Sequence, residues 1–336
     1  MGKLVSVLVP AFNAQRWIGE CITSVLSQTW PEYELIVVDD GSSDRTYEIA
    51  RRFQSRCVKV VSQDNRGASA ARNKALSLAQ GEYIQLLDAD DLLAADKISQ
   101  QLRYEGELRN SSVLLSSCFG SFFFRVHKAR FRPTRLWSDM SAVEWFITRF
   151  SDRVWMNPAV WLVSRHLTEQ IGPWDERLTL NDDGEYFARA VAACEGIRFV
   201  PEARCYYRQA NAGSLSKTYS HEALESLFLS LKLCYGYLLL REDSERTRAA
   251  ALGHLQNCLL FFYPEEKEIL ARADDLAREL GGTLAVPRLS RKYLLVRKLF
   301  GWNRAKRVAL AVPKLKKRAF ATYDRFMSSL ETRTNR

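Results

Sequence analysis

The chain has 336 residues, 47% of them hydrophobic and 26% charged, with a formal net charge of +10. This composition belongs to the soluble globular class, and the length allows two domains or one large domain with an extension. No run of 18 residues is uninterruptedly apolar: residues 227–240 come nearest, but Lys232 interrupts them and a buried helix is expected there. Seven cysteines, with no Cys-x-x-Cys pair and no histidine at ligand spacing, read as buried free thiols. The chain goes straight into an apolar strand without the layout of a signal peptide, so a cytoplasmic location is expected.

In chain order, residues 5–10 form a first strand ended by proline. Trp17, Ile18, Cys21, Ile22, Val25 and Leu26 then recur at helical spacing. A strand at 34–38 leads into Asp39-Asp40-Gly41-Ser42-Ser43-Asp44, followed by a helix over 44–53 and a strand over 58–62. A turn at Asn65-Arg66-Gly67 opens a helix over 68–79, and a strand at 83–87 delivers Asp88-Ala89-Asp90-Asp91. This alternation predicts a parallel sheet covered on both faces, with right-handed crossovers. Beyond a helix at 97–108, two antiparallel strands are expected at 113–119 and 121–126, then a helix at 142–150. The irregular, aromatic segments at 155–158 and 172–175 resemble an open binding wall. A helix at 185–194 and strands at 197–200 and 205–208 follow, and from His221 the chain reads as helical almost to its end.

Parallel sheets bind ligands beyond the carboxyl ends of their strands. Both acidic clusters would meet there, and carboxylates so gathered repel one another unless a hard divalent cation and its phosphate ligand join them. Nucleotide plus Mn²⁺ or Mg²⁺ is the expected ligand. Asp39 and Asp40 can also be a polar strand end with a glycine turn, and Ser43 or Asp44 a helix cap. Three acids in four residues at 88–91 are harder to explain without a counter-ion. Arg66 and Arg72 lie between the clusters, where a guanidinium suits a diphosphate or a ribose; a solvated helix face is the alternative for Arg72.

The segments Val-Ser-Val-Leu-Val-Pro-Ala-Phe-Asn, Val-Val-Asp-Asp-Gly-Ser-Ser-Asp, Asn-Arg-Gly-Ala-Ser-Ala-Ala-Arg-Asn and Leu-Leu-Asp-Ala-Asp-Asp together resemble the family 2 glycosyltransferases. The likeness is strong over residues 4–92 and diffuse to about 216. It implies an α/β fold of the GT-A type, a Rossmann-like mixed sheet flanked by helices, here with a C-terminal helical extension. Residues 1–110 would bind the nucleotide sugar, 111–216 the acceptor, and 217–336 would form the helical region with a basic tail. The resemblance places Pro10, Ala11, Asn13 and Asp40 at the nucleotide site, with Asp40 at its base. It makes Asp90 the metal ligand and turns Asp88 to the ribose and donor sugar. Family members usually carry Tyr where this chain has Phe12. Trp174-Asp175 precedes Asn181-Asp182-Asp183-Gly184-Glu185; Asp183 aligns with the family's catalytic base and Asp182 replaces the usual Glu, so either carboxylate can be the base. The alternative is a helix N-terminus decorated with acids. Tyr206-Tyr207-Arg208 and Ser214-Leu215-Ser216 resemble the end of the catalytic unit, and the absence of a Gln-x-x-Arg-Trp element speaks against a processive synthase.

The implied activity is inverting transfer from a nucleoside-diphosphate sugar, with UDP the common family choice, to a glycan or lipid-linked acceptor in envelope polysaccharide assembly. A dinucleotide-dependent oxidoreductase would need a Gly-x-Gly-x-x-Gly turn where Pro10-Ala11-Phe12-Asn13 stands. A sugar-nucleotide nucleotidyltransferase would need a glycine-rich loop with an arginine there. A nucleic-acid-binding protein would use the basic tail but leave the acidic crevice idle, so no nucleic-acid partner is expected. Residues 281–323 hold no Asp or Glu and twelve Lys or Arg, more than the whole net charge. In 288–300, Tyr293, Val296 and Phe300, joined by Leu295 and Leu299, predict an apolar stripe flanked by cations, suited to an anionic membrane surface. An amphipathic helix packed on the catalytic domain is the alternative.

Overall fold

The computed structural model describes residues 2–104, 112–210 and 220–334. Strands β1 (Val5–Ala11), β2 (Tyr33–Asp40), β3 (Val58–Gln63) and β4 (Tyr83–Leu86) pair in parallel in the order β3-β2-β1-β4. Helices α1 (Ile18–Leu26), α2 (Thr46–Arg51) and α3 (Ala68–Leu78) make the crossovers. The central β1 and β2 carry runs of Val, Leu and Ile buried on both faces, as a covered parallel sheet requires, while the edge strand β3 exposes Lys59. Register sets the site: Ala11 lies opposite Asp39, Asp40 opposite Gln63, and the β1–β4 ladder continues as Leu87 N–H donates to the Leu8 carbonyl at 3.0 Å. Asn13, Asp40 and Asp88 therefore leave the sheet along one edge.

Beyond β4 the sheet turns mixed. Short β5 (Leu92–Leu93) precedes α4 (Lys97–Leu102), and β6 (Val113–Phe122), β7 (Arg130–Phe131), α5 (Ala142–Asp152), β8 (Leu162–Ser164), α6 (Arg165–Ile171), α7 (Asp182–Ala193) and β9 (Gly196–Arg208) follow. Strand β8 joins β4 and β6 antiparallel to both, while β9 runs parallel to β6 and antiparallel to β5.

Two expectations are corrected here. Residues 113–126 do not form a hairpin. Gly120 sits mid-strand under the Phe131 ring, where a Cβ would come within 2.6 Å of a ring carbon, so this glycine serves close approach and not a turn. Residues 197–208 form one strand, because a register shift opposite Ser117 and Cys118 absorbs residues 201–203 without ending the pairing. Helices α2 and α3 start or stop within two residues of their predicted limits. The boundaries expected near 110 and 216, and Ser214-Leu215-Ser216, lie outside the described residues.

The C-terminal region consists of α8 (His221–Arg241), α9 (Glu245–Phe262), α10 (Lys267–Glu279) and α11 (Leu294–Thr334), the last broken at Gly301 with φ 79°. Helix α8 is long and apolar enough to cross a membrane by length and composition, but it packs on α7 and buries Leu231, Cys234, Tyr235 and Leu238. All seven cysteines are free, and all but Cys57 are buried. The predicted stripe at 288–300 is also corrected. Tyr293 is buried with Leu289 and Ala305, and Val296 packs against the same cluster, leaving Leu295, Leu299 and Phe300 outside.

Lys97 is fully buried at the start of α4, with its ammonium on the side-chain oxygen of Gln85. Burial pulls its pKa from 10.5 down to about 7. Between those values the unfolded chain holds a proton that the folded chain lacks, so stability should rise with pH from about 7 to about 10.5. Lys97→Met should flatten that rise in denaturant titrations, whereas Lys74→Met on the surface should leave it.

Candidate active site

At the end of β2, Asp40 is buried and accepts three hydrogen bonds: from Gln63 Nε2 at 2.8 Å, Arg66 N–H at 3.0 Å and Gly67 N–H at 2.8 Å. The last two donors immediately precede α3, so the carboxylate also meets the positive end of that helix. Gly41 makes the turn possible: its φ is +70°, and a Cβ there would lie 2.7 Å from the Asn65 nitrogen. Asp39, also buried, accepts from Ser42 N–H at 3.2 Å, while its Oδ1 has no partner among the described residues.

Asn13, with φ 49°, continues from Pro10 and Ala11 and ties the two loops together. Its N–H donates to Ser42 Oγ at 2.9 Å, and its Oδ1 accepts from Ser43 N–H at 2.9 Å. In this arrangement Asn13 holds the loop in position. Arg66 stands at the rim, mostly exposed and paired with Glu176 at 2.9 Å.

The acidic turn after β4 divides into two parts. Asp91 points inward and is 1% exposed; it accepts from Asn157 Nδ2 at 2.7 Å and Arg208 N–H at 2.8 Å. Burial, then the charges of Asp90 and Asp88, push its carboxyl well above the usual range. Asp88 and Asp90 are half-buried and remain on the crevice side. Arg208 fixes the turn: its Nε donates to the Asp90 carbonyl at 2.8 Å, and its guanidinium lies between Trp17 (4.3 Å) and Phe122 (4.5 Å).

Arg72 joins the two halves of the crevice. Its Nη1 donates to Asp182 at 2.6 Å and its Nη2 to Asp88 at 3.0 Å. The guanidinium lies 4.4 Å over Trp174, which stacks on Tyr186 at 4.1 Å. Trp174 is thus a buried platform and not part of an open wall. Although burial opposes the charge, the adjacent carboxylates of Asp182, Asp88 and Asp183 raise the Arg72 pKa above its ordinary value.

The two neighbouring acids at the start of α7 differ accordingly. Asp182 is spent on Arg72. Asp183 opens into a cavity of ≈ 40 Å³ lined by Trp145, Arg149, Trp155, Met156 and Trp161, and Gly184 N–H donates to it at 2.8 Å. Burial, then repulsion from Asp182, lifts its pKa to about 6. The segment at 155–158 does supply a wall: Trp155 is 46% exposed and packs edge-on against Tyr207 at 5.2 Å.

Several positioning residues escaped the motif reading. In α8, Ser226 Oγ accepts from the N–H groups of Thr179 and Leu180 at 2.8 and 3.0 Å, and Ser230 Oγ accepts from Asn181 Nδ2 at 2.5 Å. Arg149 donates to the Gly184 carbonyl at 3.0 Å. Glu185, which the 181–185 motif did include, is buried and takes Arg189 through both oxygens and the Tyr237 hydroxyl at 2.6 Å. The available signal was two serines four residues apart in the leucine-rich run 224–231.

The donor set at Asp88 and Asp90 consists of hard carboxylate oxygens, as Mg²⁺ or Mn²⁺ prefers. No group of three or more His, Cys, Asp or Glu among the described residues is arranged to hold a metal. Asp90, with Asp88 beside it, would be the residues to hold such an ion, whose remaining oxygens would have to come from a ligand and water.

Residues 6–152 match the profile of "Glycosyl transferase family 2". The chain is 29% identical over 231 residues to the glycosyltransferase GlyG of Streptococcus pneumoniae, covering 65% of this chain and 74% of GlyG. It is 41% identical over 100 residues to the Escherichia coli UDP-Glc:alpha-D-GlcNAc-diphosphoundecaprenol beta-1,3-glucosyltransferase WfgD, covering 30% of this chain and 40% of WfgD. Among solved structures, Staphylococcus aureus TarS 1-349 in complex with UDP-GlcNAc superposes with a TM-score of 0.68 at 19% identity, covering 82% and 81% of the two chains. Residues 6–152 thus form a family 2 glycosyltransferase domain, and the chain shares the GT-A fold of TarS.

Proposed function

We propose that the protein is an inverting glycosyltransferase that moves a sugar from a nucleoside-diphosphate sugar, UDP being the expected carrier, to a hydroxyl of a glycan or lipid-linked acceptor. Envelope polysaccharide assembly at the cytoplasmic face of the membrane is the process such a reaction would serve. WfgD is named for a UDP-sugar donor and a diphosphoundecaprenol-linked acceptor, and the TarS structure holds UDP-GlcNAc. The observation that carries the reading is Asp183, a carboxylate with its pKa raised to about 6 in an aromatic cavity, linked through Asp182 and Arg72 to the donor-side Asp88.

In this reading Pro10, Ala11 and Asp40 line the nucleotide site, and Asp88 faces the ribose and donor sugar. Arg66 at the rim and Arg72 at the back carry positive charge toward the diphosphate. A divalent ion held at Asp90 would neutralise the leaving diphosphate. Asp183 takes the proton of the acceptor hydroxyl as its oxygen bonds to the anomeric carbon and the bond to the diphosphate oxygen breaks. One displacement from the opposite face inverts that carbon. The exposed face of Trp155 beside the base offers an acceptor sugar an apolar surface.

Screening nucleotide sugars for release of nucleoside diphosphate with Mn²⁺ or Mg²⁺ tests the proposal; no release and no binding from any donor would overturn it. Asp183→Asn should keep donor binding and lower transfer by about 10²–10⁴-fold. Because the base works only when ionised, wild-type transfer should fall as pH drops through about 6. If Asp182→Asn proves crippling and Asp183→Asn mild, the base is Asp182.

Asp90→Ala should abolish the effect of Mn²⁺ on both donor binding in calorimetry and turnover, with an unchanged circular dichroism spectrum. Arg72→Met strands Asp88 and Asp182 without their buried partner, a change that typically costs about 3–5 kcal/mol. A lower thermal midpoint together with weaker donor binding is expected; unchanged values for both would remove Arg72 from the assembly.

A further inference from the structure

The carboxyl-terminal part of α11 is clamped at two points. Lys306 Nζ caps the end of α9, donating to the carbonyls of Phe261 and Tyr263 at 3.1 and 2.7 Å and to Glu265 at 2.7 Å. Farther on, Asp324 accepts from Arg125 Nε at 2.7 Å and from Phe124 N–H at 2.9 Å, and Glu331 accepts from Arg125 Nη1 at 2.7 Å. Asp324 and Glu331 are seven residues apart and lie on the inward side of the helix.

The opposite side carries Leu315, Ala319, Tyr323, Phe326 and Leu330, at steps of four, four, three and four residues. These side chains face outward: Leu315 is 60% exposed, Tyr323 59% and Phe326 60%. Exposed Lys316, Arg318 and Arg325 border the stripe, and the acids of this stretch are turned to Arg125. The outward face is thus apolar at its centre and cationic at its edges.

We propose that this face of residues 314–330 lies in the headgroup layer of an anionic lipid bilayer. An apolar stripe with aromatic members sinks below the phosphates while flanking cations meet them, a combination that neither a neutral bilayer nor open water satisfies. The cationic borders select anionic lipid as the occupant. The clamps also fix the direction of docking. Arg125 adjoins Phe124, which packs with Trp17 at 5.7 Å, and Trp17 lies under the Arg208 that holds the Asp90 carbonyl. A bilayer held by this helix is therefore held in a set orientation to the donor crevice. The proposal does not depend on which donor or acceptor is used.

Flotation of the full chain with vesicles of phosphatidylcholine, alone or mixed with phosphatidylglycerol, tests it. Wild type should float with the mixed vesicles and remain behind with neutral ones. Leu315→Ser with Phe326→Ser should abolish flotation while leaving the thermal midpoint and donor hydrolysis in solution unchanged. Arg318→Glu, which changes the charge by two, should weaken partitioning roughly thirtyfold. Failure of wild type to float with mixed vesicles, or equal flotation of the serine variant, overturns the proposal. A concentration-dependent dimer lost in the serine variant, without vesicle binding, overturns it in favour of a second copy of the chain. Donor hydrolysis by the same samples reports separately on the catalytic reading.

Discussion

The bridge from Arg72 to Asp88 and Asp182 is the contact on which the crevice depends. Asp88 follows β4 and Asp182 starts α7, so one guanidinium spans the junction between the parallel and mixed parts of the fold. A buried ion pair is a weak source of net stability, because desolvation offsets much of the attraction. Its consequence is geometric: the planar fork requires both carboxylates to lie at set positions over the Trp174–Tyr186 stack. It also explains why adjacent acids behave differently. Asp182 takes the guanidinium directly, whereas at Asp183 burial and the repulsion of Asp182 outweigh the pull of Arg72.

The C-terminal helices take part in this arrangement. Asn181 occupies the left-handed region with φ 62°, an uncommon conformation for a residue other than glycine. Ser230 from α8 holds its side chain, and Ser226 receives the two N–H groups just before it. Ser226 and Ser230 supply the partners these groups need where α8 packs on them, since a packed polar group left unpaired is costly. The helix that can span a membrane by length and composition is thus a support for the segment that leads into Asp182 and Asp183. Glu185, Arg189 and Tyr237 secure the same helix pair one turn farther on.

The cluster at 88–91 illustrates how like charges are divided. Asp91 is withdrawn into the core and satisfied by Asn157 and the Arg208 amide, which leaves two carboxylates facing the crevice. Burial, and then the nearness of Asp90 and Asp88, raises the pKa of Asp91. Arg208, held between two aromatic rings, donates its backbone N–H to Asp91 and its Nε to the Asp90 carbonyl, so one residue fixes both parts of the turn.

The parallel half was legible in the sequence because each strand is a short apolar run ended by Asp, Gly or Pro, and local pattern decides such elements. The identity of Asp40, Asp88 and Asp90 as crevice residues followed from strand ends alone, since every parallel strand points its carboxyl end the same way. Pattern failed where long-range contact decided the outcome. Gly120 reads as a turn until the Phe131 ring is seen above it, and residues 201–203 read as a break until β6 is seen to pair on both sides of them. Tyr293 and Val296 read as a surface stripe because periodicity shows that a helix has an apolar face, but not what covers it. The choice between Asp182 and Asp183 had the same character. Adjacent identical residues carry no distinguishing signal of their own, and only the tertiary position of Arg72, more than a hundred residues earlier, gives one of them a cation and leaves the other in the cavity.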